Sequence, residues 1–199
     1  MSLGHGVSTV LDGLVMCLDA ANPKSYPGSG TNWVDLVTSN NATLVSGVSY
    51  NSANNGKFVF DGTTNYITIP QPNILISPNV WTICGWIRPN NQYSRFLTPQ
   101  SNGVDQWIEY DNTSQQINVE ITESSDVNNR LKTGVANTVL VNKWSFFAVS
   151  INNLTINMYV NDSLTKTYTE TIPIGNWTDT WYVGQRGNST SWFSGDMSN

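Results

Sequence analysis

The sequence predicts an all-β protein, a two-sheet antiparallel jelly-roll sandwich. Strong helix formers are scarce, and apolar residues keep a helical period for no more than about two turns. Short apolar runs recur instead about every 10–15 residues, separated by clusters of Asn, Gly, Ser and Pro. Large side chains occupy both alternating faces of these runs, which requires two sheets packed face to face.

Composition narrows the class of protein further. The 199 residues include eight Trp, eight Tyr and six Phe, enough aromatic surface for a folded core. Only 12% of residues are charged, and nine Lys+Arg against a net charge of −5 argue against nucleic-acid binding. No apolar run approaches the roughly 18 residues of a membrane span, and Met1–Val10 lacks the pattern of a secretory signal.

Nine of the fourteen predicted strands lie before residue 122. Trp81–Ile87 alternates clearly, with Trp81 and Ile83 on one face and Cys84 and Trp86 on the other. The dipeptide Asp61-Gly62 predicts a tight turn between two strands. The full set here is Leu14–Leu18, Thr43–Val45, Val48–Tyr50, Lys57–Phe60, Tyr66–Ile69, Trp81–Ile87, Arg95–Thr98, Trp107–Asp111 and Gln116–Ile121, the last three forming a meander.

Two Asn-containing dipeptides predict hairpin turns in the second half. Asn tolerates positive φ, so Asn152-Asn153 and Asn161-Asp162 each suit a two-residue turn. The strands predicted around them are Thr138–Val141, Trp144–Ile151, Thr155–Val160, Ser163–Thr169 and Trp181–Gly184. With no linker or repeat in view, we expect an N-terminal arm over residues 1–12 and one domain over residues 13–199.

Cys17 and Cys84 are the two cysteines, and each lies in an apolar run. The runs favour two reduced core thiols, with a Cys17–Cys84 bridge as the alternative. For Trp81, Trp86 and Trp144, positions in regular strands favour core packing.

The order of motifs resembles that of concanavalin A-like lectin/glucanase domains of the laminin-G-like type. It is similar more narrowly to the versions found in bacteriophage and marine viral structural proteins. The matching segments are Gly13–Asn22, Ser25–Gly30, Trp33–Leu36, Phe58–Gly62, Tyr66–Ile67, Trp81–Ile87, Trp144–Val149, Met158–Asp162, Tyr182–Arg186 and Phe193–Asp196.

The resemblance also implies a missing neighbour for one strand. Family members continue past the late Gly-Asp with another apolar strand, which packs beside the N-terminal strand, and this sequence stops at Asn199. The resemblance therefore implies a domain without the family's final strand. An open strand edge invites pairing, so we expect the N-terminal arm or a neighbouring subunit to cover Leu14–Leu18.

Residues for catalysis do not assemble in the sequence. Glycosidases of this fold use close carboxylates on one strand, but Glu109 and Asp111 are followed by Ser114 where a third acid would stand. We expect Glu109 and Asp111 to be solvated acids on a polar face. The single histidine, His5, lies in the expected arm, and a Ser-His-Asp triad would have to use it. These observations predict a protein that is not an enzyme.

Calcium is the one metal that the composition allows. Two separated Cys and one His exclude a zinc site, whereas Ca²⁺ accepts Asp, Asn and backbone oxygens. Related lectin domains often carry Ca²⁺, and the candidate ligands, each beside a turn, are Asp19, Asp61 and Asp196. The alternative is that these side chains cap their turns through backbone N–H groups.

Sugar binding needs aromatic faces for the C–H side of a pyranose and polar groups for its hydroxyls. Loops that combine Trp, Asn, Asp and Arg offer this mixture, and a rigid sandwich positions such loops for binding. The candidate ligand-binding residues are Arg95, Asp105, Trp107, Trp177, Arg186, Asn188 and Trp192. Core packing for the tryptophans and surface or ion-pair roles for the arginines remain the alternatives.

Together these observations predict a non-catalytic lectin-like adhesion or decoration module, placed by the resemblance on the surface of a phage or phage-like particle. Its expected partners are a glycan or polysaccharide and, through the open edge, a second copy or a neighbouring virion subunit. Nucleic acid and membrane are not expected partners. A capsid or tail protein that uses the sandwich for protein contacts alone is the main alternative, and a glycan-cleaving enzyme is a lesser one.

Overall fold

The computed structural model describes residues 12–53, 56–70, 80–99, 107–122, 129–171, 180–187 and 191–198. These residues form two antiparallel sheets, which confirms the predicted sandwich. Sheet A has eight strands, in the order β1 (Asn32–Trp33), β2 (Ala42–Val45), β5 (Tyr66–Ile69), β14 (Trp181–Val183), β7 (Ser94–Pro99), β8 (Trp107–Asp111), β9 (Gln116–Thr122) and β10 (Asn129–Thr133). Sheet B has seven, in the order β13 (Ser163–Thr169), β12 (Thr155–Val160), β11 (Ser145–Asn152), β6 (Val80–Pro89), β15 (Ser194–Ser198), β4 (Lys57–Asp61) and β3 (Ser49–Asn51).

The core lies between the two sheets and is built from alternate residues of their strands. Tyr110 and Ile108 of β8 are fully buried, as are Phe58 of β4 and Ile87 of β6. Phe96 of β7 packs edge-on against Phe147 and Phe193, at ring-centroid distances of 5.3 and 5.9 Å. Because alternate side chains fill this core, those between them on sheet A must face outward.

A buried ionic cluster also lies in sheet B. The Asp196 carboxylate is 2.8 Å from Lys57 Nζ and 2.5 Å from Arg88 Nη2, and both Asp196 and Lys57 are buried. Since β15 pairs with both β4 and β6, Asp196 lies between the strands that supply its two partners.

Two short turns between consecutive strands do not close hairpins. Asp61-Gly62 joins β4 to β5, and Ser46-Gly47 joins β2 to β3, so both turns carry the chain from one sheet to the other. The turn after β11 is shifted by one residue, because Asn152 pairs with Thr155 and leaves Asn153-Leu154 at the tip. The turn Asn161-Asp162 is confirmed, with Asn161 at φ 57°.

Two predicted strands are absent and three others were not predicted. Leu14–Leu18 is extended but carries no strand pairing, and Thr138–Val141 lies in turns and bends. Leu14–Leu18 bonds to a loop instead: Cys17 N–H donates to the Asp35 carboxylate and the Cys17 carbonyl accepts from Leu36 N–H. The strands without a prediction are β1, β10 and β15, which are short or polar.

Several residues predicted for the core lie nearer the surface. Trp86 is 42% exposed because it faces away from the core, as the alternation of β6 requires, and it packs against Phe146 at 5.4 Å. Cys84 is exposed on the same face and Cys17 is half-buried, so neither has the predicted core position. Trp144 is half-buried just before β11, whereas Trp81 packs against the core as expected. No helix in the described residues has the length and apolar character of a membrane span.

Candidate functional site

The outer face of sheet A brings three of the predicted binding residues together. The guanidinium carbon of Arg95 lies 3.6 Å from the centroid of the Trp107 ring, and that of Arg186 lies 5.2 Å from the same centroid. Such cation–π contacts attract a guanidinium to the face of the ring. We call Arg95, Trp107, Arg186 and the neighbouring Glu109 the arginine–tryptophan cluster.

The Glu109 carboxylate contacts both Trp107 and Arg95 and so holds this cluster together. Its carboxylate accepts hydrogen bonds from the Tyr93 hydroxyl, from Trp107 Nε1 at 2.9 Å and from Asn118 Nδ2 at 3.0 Å. Arg95 Nε lies 3.8 Å from the same carboxylate, and Glu109 itself is 2% exposed. Glu109 is therefore a buried anion with several donors, and not the solvated acid that the sequence predicted.

The carboxylate of Glu109 changes the acidity of its neighbour. Burial, together with the hydrogen bond to Glu109, raises the pKa of Tyr93 to about 12. The Tyr93 hydroxyl therefore keeps its proton at neutral pH and continues to donate to Glu109.

A second group of side chains lies on the same outer face. The Tyr66 ring centroid is 5.8 Å from that of Tyr182 and 6.0 Å from that of Trp192, and all three side chains are half-buried. We call Tyr66, Tyr182 and Trp192 the aromatic patch. It offers the partly exposed ring faces that a pyranose could stack on.

The backbone of one loop joins the two groups. Gln185 forms an isolated bridge with Trp192, and Arg186 N–H donates to the Ser191 carbonyl at 2.8 Å. Ser191 Oγ in turn accepts from Arg95 N–H at 3.0 Å. These contacts hold Arg186 and Trp192 at neighbouring points on sheet A, so the cluster and the patch form one continuous surface.

A glycine fixes the start of this loop. Gly184 has φ 90°, and a Cβ built on it would lie 2.4 Å from the Phe60 ring. No other residue fits that approach of β14 to β4 without a shift of the core ring. In the sequence this glycine is the last residue of the predicted strand Trp181–Gly184.

The predicted binding residues divide into three sets. Arg95, Arg186 and Trp192 lie on the surface just described, partly accessible to solvent. Trp107 is 5% exposed and lies beneath the two guanidinium groups, so it supports the surface and its direct contact with a ligand stays a prediction. Asp105, Trp177 and Asn188 lie outside the described residues.

The sequence did not single out several residues that shape this surface. They are Tyr66, Tyr93, Asn118 and Tyr182, and Glu109 was named only as a solvated acid. Strand alternation could have placed Glu109 beside Trp107, but only the pairing of β8 with β7 and β9 shows which neighbours it meets.

The three predicted calcium ligands have other partners. Asp61 accepts hydrogen bonds from Thr63, Thr64 and Asn65 N–H groups and from the Thr64 hydroxyl. Partial burial opposes ionisation of Asp61, but these hydrogen bonds outweigh it and lower its pKa. Asp19 accepts from Ala21 N–H at 2.8 Å.

Asp196 is the least suited of the three to a divalent cation, since Lys57 and Arg88 already neutralise it. The described residues contain no group of three or more His, Cys, Asp or Glu side chains arranged to hold a metal ion. In the structure Asp19 and Asp61 therefore cap their turns, as the alternative prediction had it, and calcium binding stays a prediction.

A family model for the concanavalin A-like lectin/glucanases superfamily matches residues 61–199. The chain belongs to this superfamily. The match includes β5–β15 and therefore every residue of the arginine–tryptophan cluster and of the aromatic patch. A search of curated protein sequences finds no match.

Solved structures of the superfamily fold extend the comparison. Domain 4 of AbnA, a GH43 extracellular arabinanase from Geobacillus stearothermophilus, in complex with arabinotriose, has a TM-score of 0.61 and 16% identity, with 83% of each chain covered. The receptor binding domain of botulinum neurotoxin D has a TM-score of 0.63 and 15% identity, covering 92% of this chain and 48% of that one. The native heptameric SAP-like pentraxin from Limulus polyphemus has a TM-score of 0.51 and 15% identity, covering 72% and 73%. At these identities the likeness shows the fold alone.

Proposed function

We propose that this domain is a non-catalytic glycan-binding module whose binding surface is the outer face of sheet A. The aromatic patch supplies stacking faces, and Arg186 with Arg95 supplies donors for sugar hydroxyls. The carrying observation is that one loop supplies Arg186 to the cluster and Trp192 to the patch, on the same side of sheet A. The arabinotriose complex of a protein with the same fold is consistent with this use of the sandwich.

The hydrogen bonding of the Glu109 and Asp111 carboxylates supports glycan binding over catalysis. A retaining glycosidase needs two carboxyl groups about 5–5.5 Å apart, each available to the sugar. Glu109 is buried under three donors, and Asp111 caps the turn after β8 by accepting from Thr113 and Ser114 N–H groups. Reducing-sugar release from linear polysaccharides, lost in Glu109→Gln, is the result that would establish cleavage instead.

We further propose that the module acts in adhesion or decoration on the surface of a phage or phage-like particle. This part of the proposal rests on the sequence resemblance to viral structural domains. It predicts that an antibody raised against the domain labels intact particles, and labelling confined to disrupted particles would contradict it.

Titration calorimetry against a panel of linear arabinan, xylan, glucan and mannan oligosaccharides tests the binding surface. The titrations are run with Ca²⁺ and with a chelator, so that a requirement for calcium is measured as well. We expect Trp192→Ala and Arg186→Ala each to lower affinity at least tenfold, about 1.4 kcal/mol. Trp86→Ala, which removes an exposed Trp from sheet B, is the matched control and should bind as the parent does.

A further inference from the structure

Tyr93 is an exposed aromatic side chain on the outer face of sheet A. Its hydroxyl donates a hydrogen bond to Glu109, which lies on the face of β8 opposite to the core residues Ile108 and Tyr110. Tyr93 is nevertheless 43% exposed. Because its hydroxyl is held at a buried carboxylate, much of the exposed area must belong to the ring. This face therefore carries a further accessible aromatic side chain, outside the aromatic patch.

The loop that carries Tyr93 is fixed on both sides. Gln92 Nε2 donates to the Gly62 carbonyl at 3.1 Å and to the Trp192 carbonyl at 3.0 Å. On the other side, Tyr93 is followed directly by Ser94, the first residue of β7. A ring anchored through its hydroxyl and its backbone loses little conformational freedom when a ligand stacks on it, and this lowers the entropic cost of that contact.

Tyr93 and the aromatic patch are separated across the strands of sheet A. Tyr66 of the patch lies on β5, whereas Tyr93 directly precedes β7, and β14 runs between these two strands. Neighbouring strands are about 4.8 Å apart, so two spacings separate the two stacking sites by about 10 Å across the sheet. This span is wider than one pyranose ring. A ligand that touches both sites must therefore be a chain of linked sugars and not a single one.

A hydrogen-bond donor lies between the two stacking sites. Tyr182 of the patch pairs with Thr98 of β7, so Arg95 lies between this level and Tyr93 along the strand. The Arg95 guanidinium is held 3.6 Å from the Trp107 ring centroid, and its side chain is partly exposed. A guanidinium carries several N–H donors, which sugar hydroxyls can accept. The face thus offers ring, donor and ring in the order that a sugar chain would meet them.

We propose that Tyr93 contacts the ligand and that the outer face of sheet A takes a chain of linked sugars, a proposal that rests on the glycan-binding function given above. One sugar stacks on the aromatic patch, Arg95 donates to hydroxyls of the chain, and a further sugar stacks on the Tyr93 ring. Tyr93 then has two roles, because its hydroxyl supports Glu109 while its ring receives the ligand.

Two substitutions separate the ring of Tyr93 from its hydroxyl. Tyr93→Phe and Tyr93→Leu both remove the donor to Glu109, but only Tyr93→Phe keeps a flat aromatic face. A purely supporting role predicts equal effects, since both variants leave the same carboxylate without this hydrogen bond. Ligand contact predicts that Tyr93→Leu binds a long chain about fivefold more weakly than Tyr93→Phe does.

Titration calorimetry with a chain-length series measures the contact. The probes are the mono-, di-, tri- and hexasaccharides of the arabinan, xylan, glucan and mannan series. In the parent, we expect affinity to rise with length until both stacking sites are occupied. Tyr93→Leu should bind the shortest ligands as the parent does and lose the further rise, while Tyr93→Phe keeps most of it. Tyr159→Ala, which removes a half-buried tyrosine from the outer face of sheet B, is the control and should bind as the parent does.

Saturation-transfer NMR on the parent is a second measurement, which keeps the proposal testable if Tyr93→Leu fails to fold. When the aromatic protons of the protein are saturated, the signal should pass to two separate sugars of a bound hexasaccharide. Far-UV dichroism and melting temperature show whether each variant has kept the sandwich.

Three results would overturn the proposal, and they differ in what else they remove. Equal affinities of Tyr93→Leu and Tyr93→Phe for every chain, with binding still lost in Trp192→Ala, would leave the glycan-binding function and remove the Tyr93 contact. A parent that binds a monosaccharide as tightly as its hexasaccharide, or saturation confined to one sugar, would also leave that function. The absence of binding in all of the series would remove the glycan-binding function and the Tyr93 contact together.

Discussion

The guanidinium carbon of Arg95 lies 3.6 Å from the centre of the Trp107 ring, and both side chains lie over the buried Glu109 carboxylate. A cation–π contact and an ion pair with a buried acid both restrict the motion of the Arg95 side chain. The proposed glycan surface is therefore organised before a ligand arrives, which lowers the entropic cost of binding.

The two tryptophans of the surface should differ in their effect on stability. Trp107 is 5% exposed, so Trp107→Ala leaves a cavity and should cost about 3–5 kcal/mol. For a domain of this size that corresponds to a melting temperature lower by roughly 6–20 °C. Trp192 is half-buried, and Trp192→Ala should shift the melting temperature much less. Calorimetric melting of both variants makes the comparison, and equal losses would place Trp192 in the core and remove it from the binding surface.

Removing the charge of Glu109 should be visible in the titration of Tyr93. The pKa of Tyr93 is raised to about 12 by burial and by the hydrogen bond to Glu109, so Glu109→Gln should lower it while burial keeps it above the ordinary value of about 10. Because the folded-state pKa is raised, the stability it contributes is complete below about pH 10 and is lost as the pH rises through 12.

Tyrosinate absorbance as a function of pH measures this, with Tyr93→Phe identifying the Tyr93 signal among the eight tyrosines. An unchanged Tyr93 titration in Glu109→Gln would show that the carboxylate does not act on the phenol.

Gly184→Ala and Gly30→Ala form a matched pair. Both glycines have φ 90°, so alanine is strained at each by about 1–2 kcal/mol. An added Cβ at Gly30 meets nothing within 4 Å, whereas at Gly184 it meets Phe60 at 2.4 Å. Gly184→Ala should therefore cost about 1–3 kcal/mol more in denaturant unfolding. Equal costs would mean that Phe60 moves aside freely.

Asp196→Asn should be strongly destabilising. It leaves Lys57 and Arg88 without their shared anion, and breaking a buried ion pair in this way costs about 3–5 kcal/mol. Adding Lys57→Met to Asp196→Asn should recover part of the loss, because one buried cation is then removed. Asp162→Asn, on an exposed turn, should stay within about 0.5 kcal/mol. Urea unfolding of the parent and the three variants gives these values, and no recovery in the double variant would argue against charge as the cause.

The sequence predicted the sandwich because its signals are local. Alternation in Val80–Pro89 and positive φ at Asn161 depend on neighbouring residues, and both appear in the structure as expected. The pairing of strands is not local, so the sequence could not show that Asp61-Gly62 crosses between sheets. For the same reason Cys84 and Trp86 were expected in the core, although the alternation had already placed them on the opposite face from Ile83.

The candidate site was predicted in part for a similar reason. Arg95, Arg186 and Trp192 were chosen for residue type and loop position, which are visible in the sequence. Tyr66 and Tyr182 lie in short strands of ordinary composition, and only the order β5-β14-β7 brings them beside Trp192. Glu109 was misjudged because burial depends on what covers a strand, and strand alternation alone carries no information about that.

The central place of β15 in sheet B has a consequence for biosynthesis. Lys57 and Asp196 are separated by 139 positions along the chain. During synthesis β4 therefore has no β15 beside it until β15 has also emerged from the ribosome. Until then β4 and β6 remain apart at the middle of the sheet, with apolar surface accessible to chaperones or to other nascent chains. Slowing translation just before the codons of β15 should therefore favour aggregation more than slowing it before those of β4.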